Sequence, residues 1–147
     1  MPLETDPPVD PDTVEIGVAT DKVCHVIWKA RQFDAKEADS DPDSGSNPSD
    51  DGEADVLESN GTDAVYAELR SFIRAMDLEE QISLVALAWV GRGTYEAGEW
   101  QQALETARAE HNQRTAEYLL GLPLLGDYLE EGLAAFDLDC TDFNARI

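Results

Sequence analysis

The sequence is poor in basic residues. Ten Lys and Arg side chains stand against thirty-two Asp and Glu, which gives a formal net charge of −22 at pH 7. Nucleic acids and anionic membranes are bound by basic surfaces, so this composition argues against direct binding to DNA, RNA or membrane. The excess acid has three interpretations: adaptation to high salt, which screens self-repulsion; a solvated disordered segment; or an acidic surface that mimics nucleic acid.

Cysteine is scarce as well. The chain has only Cys24 and Cys140, with no C-x-x-C pair, and its first twelve residues are acidic and proline-rich, unlike a signal peptide. No apolar run approaches the roughly 20 residues that a membrane span needs. We therefore expect a cytoplasmic protein with reduced thiols. A zinc site made by both cysteines with His25 and His111 is a weak alternative, because their spacing matches no zinc motif, and we expect no metal and no cofactor.

Proline is absent from residues 61–122, and this region contains the clearest helix signal. Within Asp77–Gly93, DLEEQISLVALAWVGRG, seven consecutive apolar residues run from Leu84 to Val90. A helix that is apolar for about two turns is buried on every side. Asp77 with Glu80 fits a capping box, and the two glycines that follow the run fit a helix end. These flanks favour helix over the alternative, a buried strand.

Apolar residues at helical spacing predict further helices on both sides of this one. The predicted ranges are Asp21 to about Asp34 with Thr20 as its cap, Val65–Met76, Tyr95 or Glu99 to His111, a short helix at Thr115–Gly121, and Pro123 to about Phe136. In the last of these, Leu124 is expected to face inward. The expected fold class is all-α: a small orthogonal bundle of about five to six helices around a buried central helix, with a disordered acidic linker.

Composition divides the chain into five parts. They are a disordered leader at 1–12, an arm and helix packed on the bundle at 13–36, a disordered acidic linker at 37–60, the helical domain at 61–136 and a flexible acidic tail at 137–147. The linker contains DSDPDSGSNPSDDGEAD, which has too little apolar surface to offset the entropy of ordering.

Five side chains are candidates for a ligand or partner surface: Lys29, Arg31, Arg92, Trp100 and Tyr118. Arg92 is the leading anion-binding candidate in this base-poor chain. Its alternative is a plain helix end, because phosphate loops place their glycines before a helix. Trp100 is expected to be half exposed, since it begins a helix.

Lys29 and Arg31 have an alternative as well, which is salt bridging to Asp34, Glu130 or Glu131. No catalytic residue can be named. Neighbouring carboxylates on a helix do not face each other, and no nucleophile motif is present.

Three segments, KVCHVIWKARQFDAKEAD, LEEQISLVALAWVGRGTYEAGEW and TAEYLLGLPLLGDYLEEGLAAF, resemble an uncharacterised bacterial domain-of-unknown-function family, family 3775. The resemblance covers nearly all of the chain outside the leader, the acidic linker and the tail. It implies a small, mostly helical, cytosolic bacterial domain. It implies no catalytic residues, because the family has no established activity.

The leading hypothesis for function is a non-enzymatic helical interaction or adaptor domain that binds a protein partner or a second copy of itself. Its basis is the surplus of apolar stripes on short helices and the lack of a catalytic constellation; an enzymatic role is left open. One alternative is a small anionic-ligand-binding or enzymatic site near Arg92. The other is an acidic nucleic-acid mimic that binds a basic protein through the linker.

Overall fold

The computed structural model describes residues 16–39 and 64–147, and these residues form helices and loops without a strand. In chain order the helices are α1 (Thr20–Asp39), α2 (64–74), α3 (Leu78–Arg92), α4 (Trp100–Glu110), α5 (Thr115–Leu120), α6 (Leu125–Ala135) and α7 (Thr141–Arg146). A 3₁₀ turn, Ala97–Glu99, leads into α4. None of the helices in these two ranges is long and apolar enough to cross a membrane. The predicted all-α bundle around a central helix is confirmed.

Helix α3 is the buried centre of the bundle. Every residue from Ile82 to Val90 is buried. At the start of the helix, Asp77 Oδ1 accepts a hydrogen bond from the Glu80 amide at 2.8 Å, and Glu80 Oε1 accepts one from the Asp77 amide at 3.0 Å, which confirms the capping box. At its end Gly93 adopts a left-handed conformation with φ of 95°.

The other glycine of this helix end, Gly91, has a different role from the one predicted. A Cβ atom added there would lie 1.6 Å from the Tyr128 carbonyl oxygen of α6. One turn earlier on α3, Leu87 faces Gly132, where an added Cβ would lie 2.5 Å from the Leu87 carbonyl oxygen. The two glycines therefore let α3 and α6 run antiparallel with their backbones in contact. Only Gly93 ends the helix.

Helix α1 packs on α6 and buries four of the five apolar residues at helical spacing in its sequence, Val23, Val26, Ile27 and Ala30, whereas the fifth, Phe33, is half-buried. It begins at Thr20 itself and continues to Asp39, beyond the expected end near Asp34 and into the range assigned to the linker. The rest of the predicted linker, residues 40–60, and the predicted leader lie outside the described residues.

A disulfide joins Cys24 of α1 to Cys140 at the start of α7, with 5.7 Å between the Cα atoms. The prediction of reduced thiols was wrong. Both side chains are buried where α7 packs on α1, and a separation of 116 residues left no local signal of this contact in the sequence. The prediction of a flexible tail at 137–147 also needs correction, because this segment contains α7 and one end of the disulfide.

The turn between α5 and α6 differs from the prediction. Pro123 precedes α6 instead of lying in its first turn, and Leu124 is the N-cap residue, with a left-handed φ of 65°. This conformation reverses the chain between the two helices and places the Leu124 side chain outside. It is 55% exposed, whereas Leu125, Leu129, Leu133 and Phe136 face the core as expected.

Candidate functional site

A cavity of about 240 Å³ lies between α3, the end of α4 and α5. Its lining consists of Val85 and Trp89 from α3, Ala107 and Glu110 from α4, His111, Asn112 and Arg114 from the α4–α5 turn, and Thr115 and Tyr118 from α5. An apolar wall with a few convergent polar groups is typical of small-molecule sites. The volume is below the roughly 300–1,000 Å³ of pockets for drug-sized ligands, so the cavity suits a smaller molecule.

Trp89 and Tyr118 form the aromatic part of this wall. Trp89 is buried as part of the apolar run of α3, and its indole Nε1–H donates to the Tyr118 hydroxyl at 2.9 Å. Tyr118 is 43% exposed. Since its oxygen already accepts from Trp89, its own O–H is left to donate, and no acceptor for it lies among the described residues. The tyrosine therefore offers a fixed hydrogen-bond donor at the cavity.

The polar side of the cavity is a turn that is held by its own side chains. Asn112 Oδ1 accepts from the Arg114 amide at 2.7 Å, and the Thr115 hydroxyl donates to the Asn112 carbonyl oxygen at 3.0 Å. Asparagine is favoured in turns because its side chain bonds the backbone two residues on. His111 Nε2 lies 3.1 Å from Gln81 Oε1, which ties the turn to α3. These hydrogen bonds therefore fix the backbone position from which the Arg114 side chain extends.

Two opposite charges line the cavity, Glu110 and Arg114. Within the described part of the chain neither forms an ion pair, although both lie on the same cavity. Most other described bases do have a carboxylate partner: Lys22, Lys29, Arg31, Arg70, Arg74, Arg108 and Arg146. Arg108, in the last turn of α4, donates to both carboxylate oxygens of Glu79. Arg114 is therefore unusual in having no partner that the fold supplies.

The predicted site residues Lys29 and Arg31 are both used in ion pairs. Lys29 Nζ lies 3.0 Å from Glu68 and 4.9 Å from the ring centroid of Trp28. Arg31 lies 2.7 Å from Asp127 and 2.8 Å from Glu130, and its hydrogen bonds to Glu130 and then Asp127 raise the pKa of its guanidinium. The salt-bridge interpretation of these two bases is what the structure shows, with Glu130 as one of the partners named from the sequence.

Arg92 and Trp100 do not line the cavity either. Arg92 is exposed at the end of α3, where its Nε donates to the Thr94 hydroxyl at 3.0 Å. Trp100 is buried, with its ring 5.2 Å from that of Phe136, so the prediction of a half-exposed Trp100 was wrong. The 3₁₀ turn before it aims the ring inward. Trp28, 37% exposed, is the tryptophan at the surface.

Of the five predicted site residues, only Tyr118 lines the cavity. Trp89 was assigned to the core alone, Glu110 and Arg114 were not singled out, and His111 was considered only as a zinc ligand. A polar break between two helices, with Asn112 as its turn residue, is the sequence signal that marks this place. That these side chains share one cavity depends on the packing of α5 on α3.

The residues considered for zinc do not form a metal site. Cys24 and Cys140 are bonded to each other, and His111 faces Gln81. Across residues 16–39 and 64–147, no group of three or more His, Cys, Asp and Glu side chains is arranged to hold a metal ion.

Residues 66–138 match the model of a family described as a protein of unknown function, DUF3775. The match begins within α2 and ends after α6, so it includes the α3–α6 contact and the entire cavity lining; α1 lies outside it. No curated protein and no solved structure matches the chain. Because the family description gives no function, a function for this chain has to be inferred from the geometry of the cavity.

Proposed function

We propose that this chain, which carries a DUF3775 domain over residues 66–138, is a non-enzymatic binding domain whose site is the cavity between α3, α4 and α5. One observation carries the proposal: the cavity combines an apolar wall with Arg114 and the Tyr118 O–H, two donors that have no acceptor elsewhere in the described chain. Donors of this kind, beside an apolar wall, give a site both affinity and orientation.

The lining supports binding better than catalysis. The hydroxyl of Thr115 is engaged with the Asn112 carbonyl oxygen, and His111 Nε2 faces Gln81. No Ser, Cys or Lys is among the lining residues. A nucleophile within hydrogen-bond reach of a base is what covalent catalysis requires, and the lining has no such pair.

Ligand screening tests this function. A library of small acids, amines, zwitterions and neutral aromatic compounds is added to the full chain, and binding is followed by thermal shift and calorimetry. We expect binders whose affinity falls in Arg114→Ala and is kept in Arg92→Ala, a matched exposed arginine outside the cavity. A library without a binder at millimolar concentration would overturn the proposal, and so would binders that Arg92→Ala weakens and Arg114→Ala does not.

A second candidate function is the interaction or adaptor domain, and a specific observation favours it. Leu124 is held in a left-handed conformation, which costs a non-glycine residue about 1–2 kcal/mol. Its side chain is 55% exposed, so the isolated chain gains little from it. A leucine at this position is explained if it is buried against a second copy of the chain.

Sedimentation velocity at several salt concentrations tests this second candidate. Added salt screens the repulsion between chains of net charge −22, so self-association should strengthen with salt. Asparagine tolerates the left-handed conformation, so Leu124→Asn should abolish association without loss of stability. Leu78→Asn is the control, because Leu78 is an exposed leucine of normal conformation. A chain that stays monomeric at all concentrations would exclude self-association.

A bacterial and cytoplasmic setting belongs to the proposal through the family resemblance, because the disulfide removes the argument from reduced thiols. The nucleic-acid mimic depends on the predicted acidic linker, whose residues 40–60 lie outside the described chain, and stays a prediction. Deletion of these residues should then abolish capture of a basic partner such as histone, and unchanged capture would exclude the mimic.

A further inference from the structure

We propose that the cavity takes a small zwitterion of the amino-acid class. The ligand carboxylate binds the Arg114 guanidinium and the Tyr118 O–H, its ammonium group faces Glu110, and its side chain packs on Trp89 and Val85. The inference rests on the proposed binding function and adds the chemical class of the ligand.

The charges of the lining carry this inference. Glu110 ends α4 and Arg114 immediately precedes α5, so the turn between them separates the two charges by four residues along the chain. They line one cavity without pairing with each other. A simple anion in the cavity would be repelled by the Glu110 carboxylate, and a simple cation would be repelled by the Arg114 guanidinium. A ligand with both charges satisfies both residues at once.

The charge of the whole chain points the same way. At −22 the protein repels anions over a distance of about 10 Å at moderate ionic strength. A zwitterion has no net charge and therefore enters without this penalty. Its carboxylate is then held by short-range, charge-assisted hydrogen bonds, which are the strong ones.

The size and rigidity of the site fit such a ligand. A cavity of about 150 Å³ already holds a benzene molecule. The present cavity, about 240 Å³, has room for a medium-sized apolar side chain together with the two charged groups. The Trp89–Tyr118 hydrogen bond holds the Tyr118 oxygen in place, and the Asn112–Arg114 hydrogen bond fixes the backbone from which the Arg114 side chain extends, which lowers the entropic cost of binding.

Calorimetry with matched ligands tests the class. The probes are L-leucine, its analogue without the amine (4-methylpentanoate) and its analogue without the carboxylate (3-methylbutylamine), with L-phenylalanine, 3-phenylpropanoate and 2-phenylethylamine as a larger series. In the wild-type chain, loss of either charge should weaken binding at least about ten-fold, because hydrogen bonds to charged groups reach that magnitude.

Two variants assign each charge to its residue. In Glu110→Gln the amino acid should lose its advantage over the carboxylate analogue, and in Arg114→Ala it should lose its advantage over the amine analogue. Arg92→Ala should leave all affinities unchanged. Circular dichroism and the melting temperature establish that the variants are folded, and Arg114→Lys separates loss of charge from loss of the guanidinium fork.

The outcomes separate the two claims. If single-charge analogues bind the wild-type chain as tightly as the amino acids, and Arg114→Ala weakens every ligand equally, the zwitterion class is wrong while the binding function stands. The same holds if only the neutral aromatic compounds of the screening library bind. If none of these compounds, charged or neutral, binds at millimolar concentration, both claims fail.

Discussion

The Tyr118 hydroxyl accepts a hydrogen bond from Trp89 Nε1 at 2.9 Å, and this bond ties α5 to the buried helix α3. Trp89 belongs to the apolar run that holds the bundle together, whereas Tyr118 has nearly half of its surface in solvent. The pair therefore joins the core of the domain to the wall of its cavity.

Replacing Tyr118 with phenylalanine tests that relationship. The change leaves the Trp89 N–H without its acceptor, so we expect the free energy of unfolding to fall by about 1 kcal/mol. Denaturant titration measures it. Tyr95→Phe is the control: it removes a comparable hydrogen bond, to the Thr106 hydroxyl at 3.1 Å, from a residue that does not line the cavity. Ligand affinity should fall in Tyr118→Phe and not in Tyr95→Phe. An equal loss of ligand affinity in the two variants would contradict the role given to Tyr118.

Gly91→Ala should be the most damaging single-methyl change in the domain. The added Cβ would lie 1.6 Å from the Tyr128 carbonyl oxygen, and backbone on both sides must move to accommodate it. We expect a loss of about 3 kcal/mol or more in the free energy of unfolding, at the upper end of overpacking effects. Gly98→Ala is the matched control, since nothing lies within 4 Å of its added Cβ. Similar stabilities for the two variants would show that α3 and α6 are not in backbone contact.

Reduction of the Cys24–Cys140 disulfide should destabilise the fold. The bond closes a loop across nearly the entire chain, with a sequence separation of 116, and loss of a native disulfide costs about 2–5 kcal/mol. Melting temperatures with and without dithiothreitol measure the effect. In the double variant Cys24→Ser, Cys140→Ser the reductant should have no effect, because the chain has only two cysteines. An intact mass of the unreduced protein that corresponds to two free thiols would contradict the disulfide.

His25 should make stability depend on pH. Its pKa lies below the ordinary value of about 6.5, chiefly because burial disfavours the charged ring and secondly because Lys29 is near, while Glu68 opposes the shift. The unfolded chain therefore binds more protons than the folded chain just below pH 6.5. Stability should be greatest above that pH and should decline as pH falls toward the folded pKa.

The variant His25→Phe isolates this effect, because the ring lies 4.3 Å from that of Phe72 and another aromatic ring fits there. Thermal unfolding between pH 5 and 7 should show a shallower pH slope in the variant. The carboxylates of Glu79 and Glu80 have lowered pKa values, from hydrogen bonds to Arg108 and Lys22 respectively, so their contributions are lost only at lower pH. Identical slopes in the two proteins would show that His25 does not titrate as described.

Local sequence was sufficient for α1 to α6, apart from some of their ends, and for the centre of the fold, but not for α7. The run from Leu84 to Val90 and the Asp77–Glu80 pair are contiguous, and each acts through neighbours within one or two turns. Helix α3 was therefore predicted with its cap, burial and end. The same logic failed for Leu124, because its exposure depends on a chain reversal whose left-handed residue is not glycine.

The disulfide and the cavity could not be predicted because both depend on contacts between distant segments. Cys24 and Cys140 meet only once α1 and α7 are docked. Arg92, which lies between two glycines, was the leading anion-binding candidate, yet Gly91 packs on α6 and Gly93 ends the helix. Arg114 stands in an ordinary polar turn, and only the packing of α5 on α3 brings it to Trp89.

The most direct test of the cavity as a binding site uses the three tryptophans as reporters. Each indole N–H gives its own signal in a ¹H–¹⁵N correlation spectrum, and Trp89 alone lines the cavity, whereas Trp28 lies at the surface and Trp100 against Phe136. On titration with L-leucine or L-phenylalanine, we predict a saturable shift of the Trp89 signal and unchanged Trp28 and Trp100 signals. An unchanged Trp89 signal at ligand concentrations that saturate calorimetric binding would contradict the account.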